Sequence, residues 1–142
     1  MDNEFNFSSN ISNQLISQYG KYLLSKIAGA QHVPFLDVLI NGENAKRKEC
    51  HKNATCFSEE NESFKPVHGW LIIDARPMLQ SIKFIAHSVV KNHDEILIDI
   101  TPYDASGRYL FLPAFIKDED FGSLVSWLHQ NQRDGSFNYQ IT

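Results

Sequence analysis

The chain has 142 residues, 42% hydrophobic and 21% charged, with a formal net charge of −4. This composition fits one ordinary globular domain that can bury a core, and it excludes wholesale disorder. Binding to nucleic acid needs a concentrated positive face. The only basic run here is Lys46-Arg47-Lys48, which reads as a solvated turn, so nucleic acid is not an expected partner.

The first residues, Met1-Asp2-Asn3-Glu4, are acidic and polar. They lack the basic region and apolar stretch of a secretory signal. No apolar run approaches the roughly 18 residues of a membrane span, so no membrane partner is expected. The two cysteines, Cys50 and Cys56, are six residues apart. On one helix they face different sides and cannot bridge, so no disulfide framework is present. Reduced thiols suit a cytoplasmic compartment.

Residues 1–9 read as a loose polar stretch. Residues 12–28 form a helix, because Leu15, Ile16, Tyr19, Leu23, Leu24 and Ile27 recur at spacings of three and four. Ser12 or Asn10 caps it, and Gly29 stops it. Residues 33–40 are apolar and extended, and Asn41-Gly42 signals a turn. Residues 43–49 are charged and exposed. Residues 50–61 are helical in composition, with Cys50 in the first turn.

The second half is rich in strand signals. Residues 67–74 are a strand carrying Trp70, and Arg76-Pro77 is a turn. Residues 82–91 and 95–101 are β-branched runs around Asn92-His93-Asp94, a hairpin signal. Residues 108–116 are a further strand. Residues 118–130 are a final helix with Phe121, Leu124, Val125 and Leu128 on one face. The tail from Asn131 is a frayed end or an edge strand. Helices followed by a meander of strands give an α+β fold: a single domain over 1–142, with helices on one face of a four- or five-stranded antiparallel sheet. The stretch 50–116 is its functional core.

Within that core, a three-residue hairpin loop makes Lys91 and Glu95 a cross-strand pair. Val90 then faces Ile96, Val89 faces Leu97, and His87 faces Asp99. Directly opposed side chains share a face with Cβ atoms about 4.5–5.5 Å apart, close enough for an imidazole–carboxylate hydrogen bond. A one-residue slip would break the pair. On the helix, Cys50, Ala54, Phe57 and Asn61 form the stripe that faces the sheet, and Asn53 lies beside it. The unpaired N–H groups of a helix start stabilise a thiolate and can receive an oxyanion. Cys50, His87 and Asp99 therefore supply the residue types of a nucleophile, its base and the base's orienter.

Other readings of these residues are blander. Cys50 can be a small buried hydrophobe, and His87–Asp99 a structural pair. Cys56 sits too deep in the helix to use its dipole. His51 points about 100° from Cys50 on an ideal helix and is a poor base for it. Cys50, His51, Cys56 and His68 are zinc-type ligands, but they lack the paired spacing of roughly two to four residues. No metal and no cofactor are expected.

Three stretches carry a family likeness: Cys50-His51-Lys52-Asn53-Ala54, Ala86-His87-Ser88-Val89-Val90, and Leu97-Ile98-Asp99-Ile100-Thr101-Pro102. A cysteine opening a helix, then a histidine strand, then an aspartate strand resembles the papain-like and transglutaminase-like cysteine enzymes. The set also looks like the protein N-terminal glutamine amidohydrolases. The resemblance implies a thioester mechanism on an amide bond, with Cys50 attacking, His87 moving the proton and Asp99 orienting His87. It implies a protein, peptide or small amide substrate. Papain-like enzymes place an oxyanion-binding glutamine upstream of the cysteine; here the upstream candidates are Asn44 and Asn41, with Asn53 as a further site-lining residue. Trp70 is the candidate for the site tryptophan of transglutaminases. The competing expectation is a catalytically inactive binding or regulatory module of the same fold.

Overall fold

The computed structural model describes residues 5–8, 10–102 and 109–141. The helix α1 (Asn13–Ser25) starts where Ser12 Oγ accepts the Leu15 N–H at 3.1 Å. A hairpin of two short strands, β1 (Leu39–Ile40) and β2 (Glu43–Asn44), turns at Asn41 and Gly42, both in the left-handed region. Then come α2 (Cys50–Glu60), β3 (Lys65–Asp74), the short α3 (Arg76–Leu79) and β4 (Ser81–Lys91). The chain continues through β5 (Leu97–Ile98), β6 (Leu110–Pro113), α4 (Asp118–Gln132) and β7 (Ser136–Gln140).

Five of these strands form one antiparallel sheet in the order β5-β4-β3-β6, with β7 also on β4. The long β4 therefore has one edge filled by β3 and another shared by two short strands. On that second edge β7 pairs with residues 81–85 and β5 with 90–91. Among the described residues, no strand pairs with 87–89 there.

Side chains alternate across the sheet. The even-numbered face carries Trp70, Ile72, Ile82, Phe84 and Leu112, which pack against Tyr19 and Leu23 of α1 and Phe121, Leu124 and Leu128 of α4. Further along this face, Val90 packs against Ala54 and Phe57 of α2. The helices α1, α2 and α4 thus lie on one face of the sheet. The odd-numbered face carries Leu71, Val89 and Phe111 and is covered by Val33 and Leu97 rather than by a helix.

Tyr19 locks the main core. Its hydroxyl donates to the Ala114 carbonyl at 2.6 Å and accepts the Trp70 indole N–H at 2.9 Å, so three buried polar groups are satisfied together. Residues 5–8, read as loose from sequence, are tied down. Phe7 is buried against Tyr19, and its N–H donates to Asp120 Oδ1 at 3.0 Å. The tail is an edge strand because Phe137 buries against Phe84 and Trp70.

The β4–β5 hairpin differs from the expected register. The structure pairs Val90 with Ile98 and Lys91 with Leu97, two residues further along than a three-residue loop would give. Asn92 is the cause. Its Oδ1 accepts the N–H groups of Asp94 and Ile96, its own N–H donates to Ile96 O, and Glu95 takes a left-handed conformation. The longer loop consumes two residues. The Lys91–Glu95 ion pair forms at 3.2 Å as a contact within the turn. A shift of two preserves which face each side chain occupies.

Candidate active site

Asp99 leaves the sheet immediately after β5. Its N–H donates to Pro34 O and its carbonyl accepts Leu36 N–H, which stitches it to the segment covering the odd-numbered face. Its carboxylate is thereby fixed: Oδ1 accepts Thr101 N–H at 3.0 Å, and Oδ2 lies 2.8 Å from His87 Nε2. In the observed register His87 and Asp99 are diagonal rather than direct neighbours, still within reach on one face. Both are buried. The pairing expected from sequence is present, reached by a different register.

Cys50 is the first residue of α2. The first bond of that helix runs from Asn53 N–H to Glu49 O at 2.8 Å. The N–H groups of Cys50, His51 and Lys52 therefore lie outside the helical ladder, at the positive end of the helix. The Cys50 thiol shares the wall of one hollow with His51 and His87, and both imidazoles act on it. Burial pushes this thiol up, but hydrogen bonds to the two imidazoles and their charge outweigh it, and the net value falls from about 9 to about 6. For His87, burial pushes downward. Asp99 and Cys50 push upward more strongly, which raises it to about 9.

His51 departs from the expectation that it points away. Its Nδ1 lies 2.5 Å from Ser88 Oγ, and on the far side of the same oxygen is His68 Nδ1 at 2.6 Å. The opposed residues His68 and Ser88 in the β3–β4 register make this possible. Both rings pack on Phe121: His68 stacks at 5.1 Å between centroids, and His51 meets its edge at 5.6 Å. Burial holds the His68 imidazole below its ordinary range, against the opposing pull of Asp118. Successive residues of β4 thus serve the thiol from two faces: His87 with Asp99 on one, Ser88 with two imidazoles on the other.

A hollow of about 590 Å³ opens beside the unpaired stretch of β4. Cys50, His51, His87, Thr101, Gly135 and Ser136 are among its walls. Asn44 and Asn53 line a separate hollow together with Cys56. Asn53 is committed to packing: its Nδ2 donates to Lys46 O at 2.8 Å and to Thr101 Oγ1 at 2.9 Å, tying the approach to α2 to the Asp99 segment. Trp70 is fully buried, with Phe121 between it and the histidines. The structure therefore brings Cys50, His87 and Asp99 together and leaves Asn44, Asn53 and Trp70 outside the hollow.

Two features of the site were not read from the sequence: the engagement of His51 and the bridging Ser88. The usable signal was the β3–β4 pairing, which sets His68 opposite Ser88. Among the described residues no group of three or more His, Cys, Asp or Glu is placed to hold a metal ion. No helix among them is long and apolar enough to cross a membrane. Comparison with protein-family models, with curated proteins and with solved structures returns no match.

Proposed function

We propose that this protein is a cysteine-dependent amide hydrolase or acyltransferase acting through a thioester, with Cys50 as nucleophile, His87 as proton carrier and Asp99 as the group that orients His87. One observation supports this reading above the others. A thiol at a helix start is in reach of an imidazole whose Nε2 is held by a buried carboxylate. With Nε2 committed to Asp99, Nδ1 is the ring nitrogen left for the thiol.

Around neutral pH the values of about 6 for Cys50 and about 9 for His87 favour a thiolate beside an imidazolium. The sulfur attacks an amide carbonyl: a C–S bond forms and the carbonyl π pair moves onto oxygen. Collapse restores the carbonyl and breaks the C–N bond, and the amine leaves with the proton from His87. Water then attacks the thioester and gives a proton to His87. The C–S bond breaks, and a carboxylic acid and the thiolate result. An amine in place of water gives transfer. Protein, peptide and small amide substrates, glutamine side chains included, are all within this chemistry. The likeness of the three sequence stretches to papain-like and transglutaminase-like enzymes points the same way. Two reduced thiols suit a reducing compartment such as the cytoplasm.

The test is pH-resolved labelling with iodoacetamide, mapped by mass spectrometry. Cys50 should label rapidly and well before Cys56 near neutral pH, and His87→Ala should slow it. Labelling of Cys50 no faster than a model thiol, and unchanged by His87→Ala, would remove the basis for this reading.

A further inference from the structure

We propose that His51 is the second oxyanion donor of this site, and that Ser88 and His68 are positioning residues that hold its ring in the donor form. The inference rests on the thiol-enzyme reading of Cys50. That mechanism calls for two N–H groups aimed at the developing oxyanion. Backbone N–H groups at the start of α2 can supply one. The asparagine candidates do not supply the other: Asn41, Asn44 and Asn53 line a different hollow, and both bonds donated by Asn53 Nδ2 serve packing. His51 lines the same hollow as Cys50 and His87.

The hydrogen bonds around Ser88 fix which ring nitrogen donates. A serine hydroxyl has one proton, so it can donate to only one of the two Nδ1 atoms beside it. The other Nδ1 must carry its own proton and donate to Ser88. A thiolate at Cys50 needs donors, and the ring nitrogen of His51 left for it is Nε2, because Nδ1 is on Ser88. In the proposed donor form, His51 carries its proton on Nε2 and its Nδ1 is bare. Ser88 therefore donates to His51 and accepts from His68 Nδ1–H. The result is a one-way chain of donors: His68 to Ser88, Ser88 to His51, His51 to the sulfur.

When the sulfur attacks, the negative charge moves from sulfur to the neighbouring carbonyl oxygen, and the same Nε2–H follows it. The groups around His51 favour this role. Cys50 lies on its own helix, His87 stands across the thiol on β4, His68 comes from β3, and Asp118 at the start of α4 acts on His68. Phe121 holds both rings from behind. Asp99 reaches His87 alone among the histidines; among the described residues no carboxylate bonds the His51 ring to draw it into use as a base.

Two reagents separate an oxyanion donor from a base. Iodoacetamide alkylates sulfur by displacement of iodide, with no oxyanion. p-Nitrophenyl acetate acylates it: the C–S bond forms, the π pair goes to oxygen and returns as p-nitrophenolate leaves, with no proton needed from His87. Rates are compared on the plateau above the Cys50 transition in each variant, where the thiolate is fully formed. His51→Ala should slow acylation on the order of 10²-fold, while alkylation changes by less than about threefold. His51→Gln, which keeps a side-chain N–H donor, should recover much of the acylation. Ser88→Ala should give the same selective loss, smaller in size. Retained alkylation reports that the thiol site is intact in each variant. Equal losses with both reagents in His51→Ala, or unchanged acylation, would overturn the donor role. Unchanged acylation in Ser88→Ala would overturn the positioning chain. A wild-type protein inert to both reagents would instead overturn the thiol-enzyme reading itself.

Discussion

His87 and Asp99 meet at 2.8 Å across a turn, with Nε2 on one side, Oδ2 on the other and almost no exposure to water. Asp99 has no slack: its second oxygen holds Thr101 N–H, and its backbone is bonded to residues 34 and 36. Asp99→Asn keeps the shape and removes the charge. His87 should then fall from about 9 toward its ordinary 6.5, because the largest upward influence on it is gone. With less cation beside the sulfur, the midpoint for labelling Cys50 should rise. Amide turnover should drop on the order of 10³-fold, as when the orienting carboxylate of a similar constellation is lost. An unmoved labelling midpoint in Asp99→Asn would remove Asp99 from the proposed mechanism.

The two titrations set a pH window. Cys50 is lowered to about 6, so its reactive form grows as pH rises through that value. His87 is raised to about 9, so the proton needed by the leaving amine is lost as pH rises through that value. Amide turnover should therefore be bell-shaped with limbs near 6 and 9, while alkylation should keep only the acid limb. In His87→Ala the alkylation midpoint should move up toward the ordinary value near 9. Rates measured across pH by mass spectrometry check both. A wild-type midpoint already near 9 contradicts the activated thiol.

Gly69 faces His87 in the β3–β4 register and crowds β6 on its other side. A Cβ there would lie 2.3 Å from Leu112 O and 2.7 Å from Phe111 Cζ. Phe111 in turn packs edge-on against the His87 ring at 6.2 Å. Gly69→Ala should destabilise the fold by roughly 1–3 kcal/mol through overpacking, and it should also slow Cys50 labelling by displacing His87. Urea unfolding gives the first quantity and labelling the second. Normal stability in this variant would show that β6 yields without cost.

Tyr19→Phe tests the core separately from the site. Removing the hydroxyl leaves the Trp70 N–H and the Ala114 carbonyl buried without their partner. Each such group costs about 1–3 kcal/mol, so a loss of roughly 2–6 kcal/mol is expected. The labelling midpoint of Cys50 should not move, since Tyr19 lies on the α1–α4 part of the core. Chemical denaturation followed by tryptophan fluorescence measures the loss. A shifted midpoint would tie the two regions together.

The sequence was legible where physics is local. The stripe of Ala54 and Phe57 told which side of α2 is inward, and strand alternation put His87 and Asp99 on one face. Their pairing held because the Asn92 turn moved the register by an even number. The turn itself was not legible: whether Asn92 keeps its side chain for two loop N–H groups depends on how the chain leaves β5 toward residues 34–36. His51 was misjudged for a related reason. Helical geometry turns it away from Cys50, but Ser88, supplied by a strand 37 residues on, holds the ring where the thiol can reach it. Asn44 and Asn41 rested on their place upstream of Cys50, and Asn53 on lying beside the inward stripe of α2; the structure puts all three at a hollow separate from the one that Cys50 lines.

The adjacency of His87 and Ser88 on β4 has a consequence for which changes of length this chain can tolerate. One strand presents a carboxylate-bound imidazole to one side and an imidazole-bridging hydroxyl to the other. A residue gained or lost within β4 ahead of His87 would exchange the two, turning the imidazole toward His68 and the hydroxyl toward Asp99. Both hydrogen-bond systems would fail in one step. Length changes in the turn around α3 leave the ten β3–β4 pairs intact and should be tolerated. In a scan of single-residue deletions, the boundary between tolerated and lethal positions should therefore fall where the α3 turn ends and β4 begins.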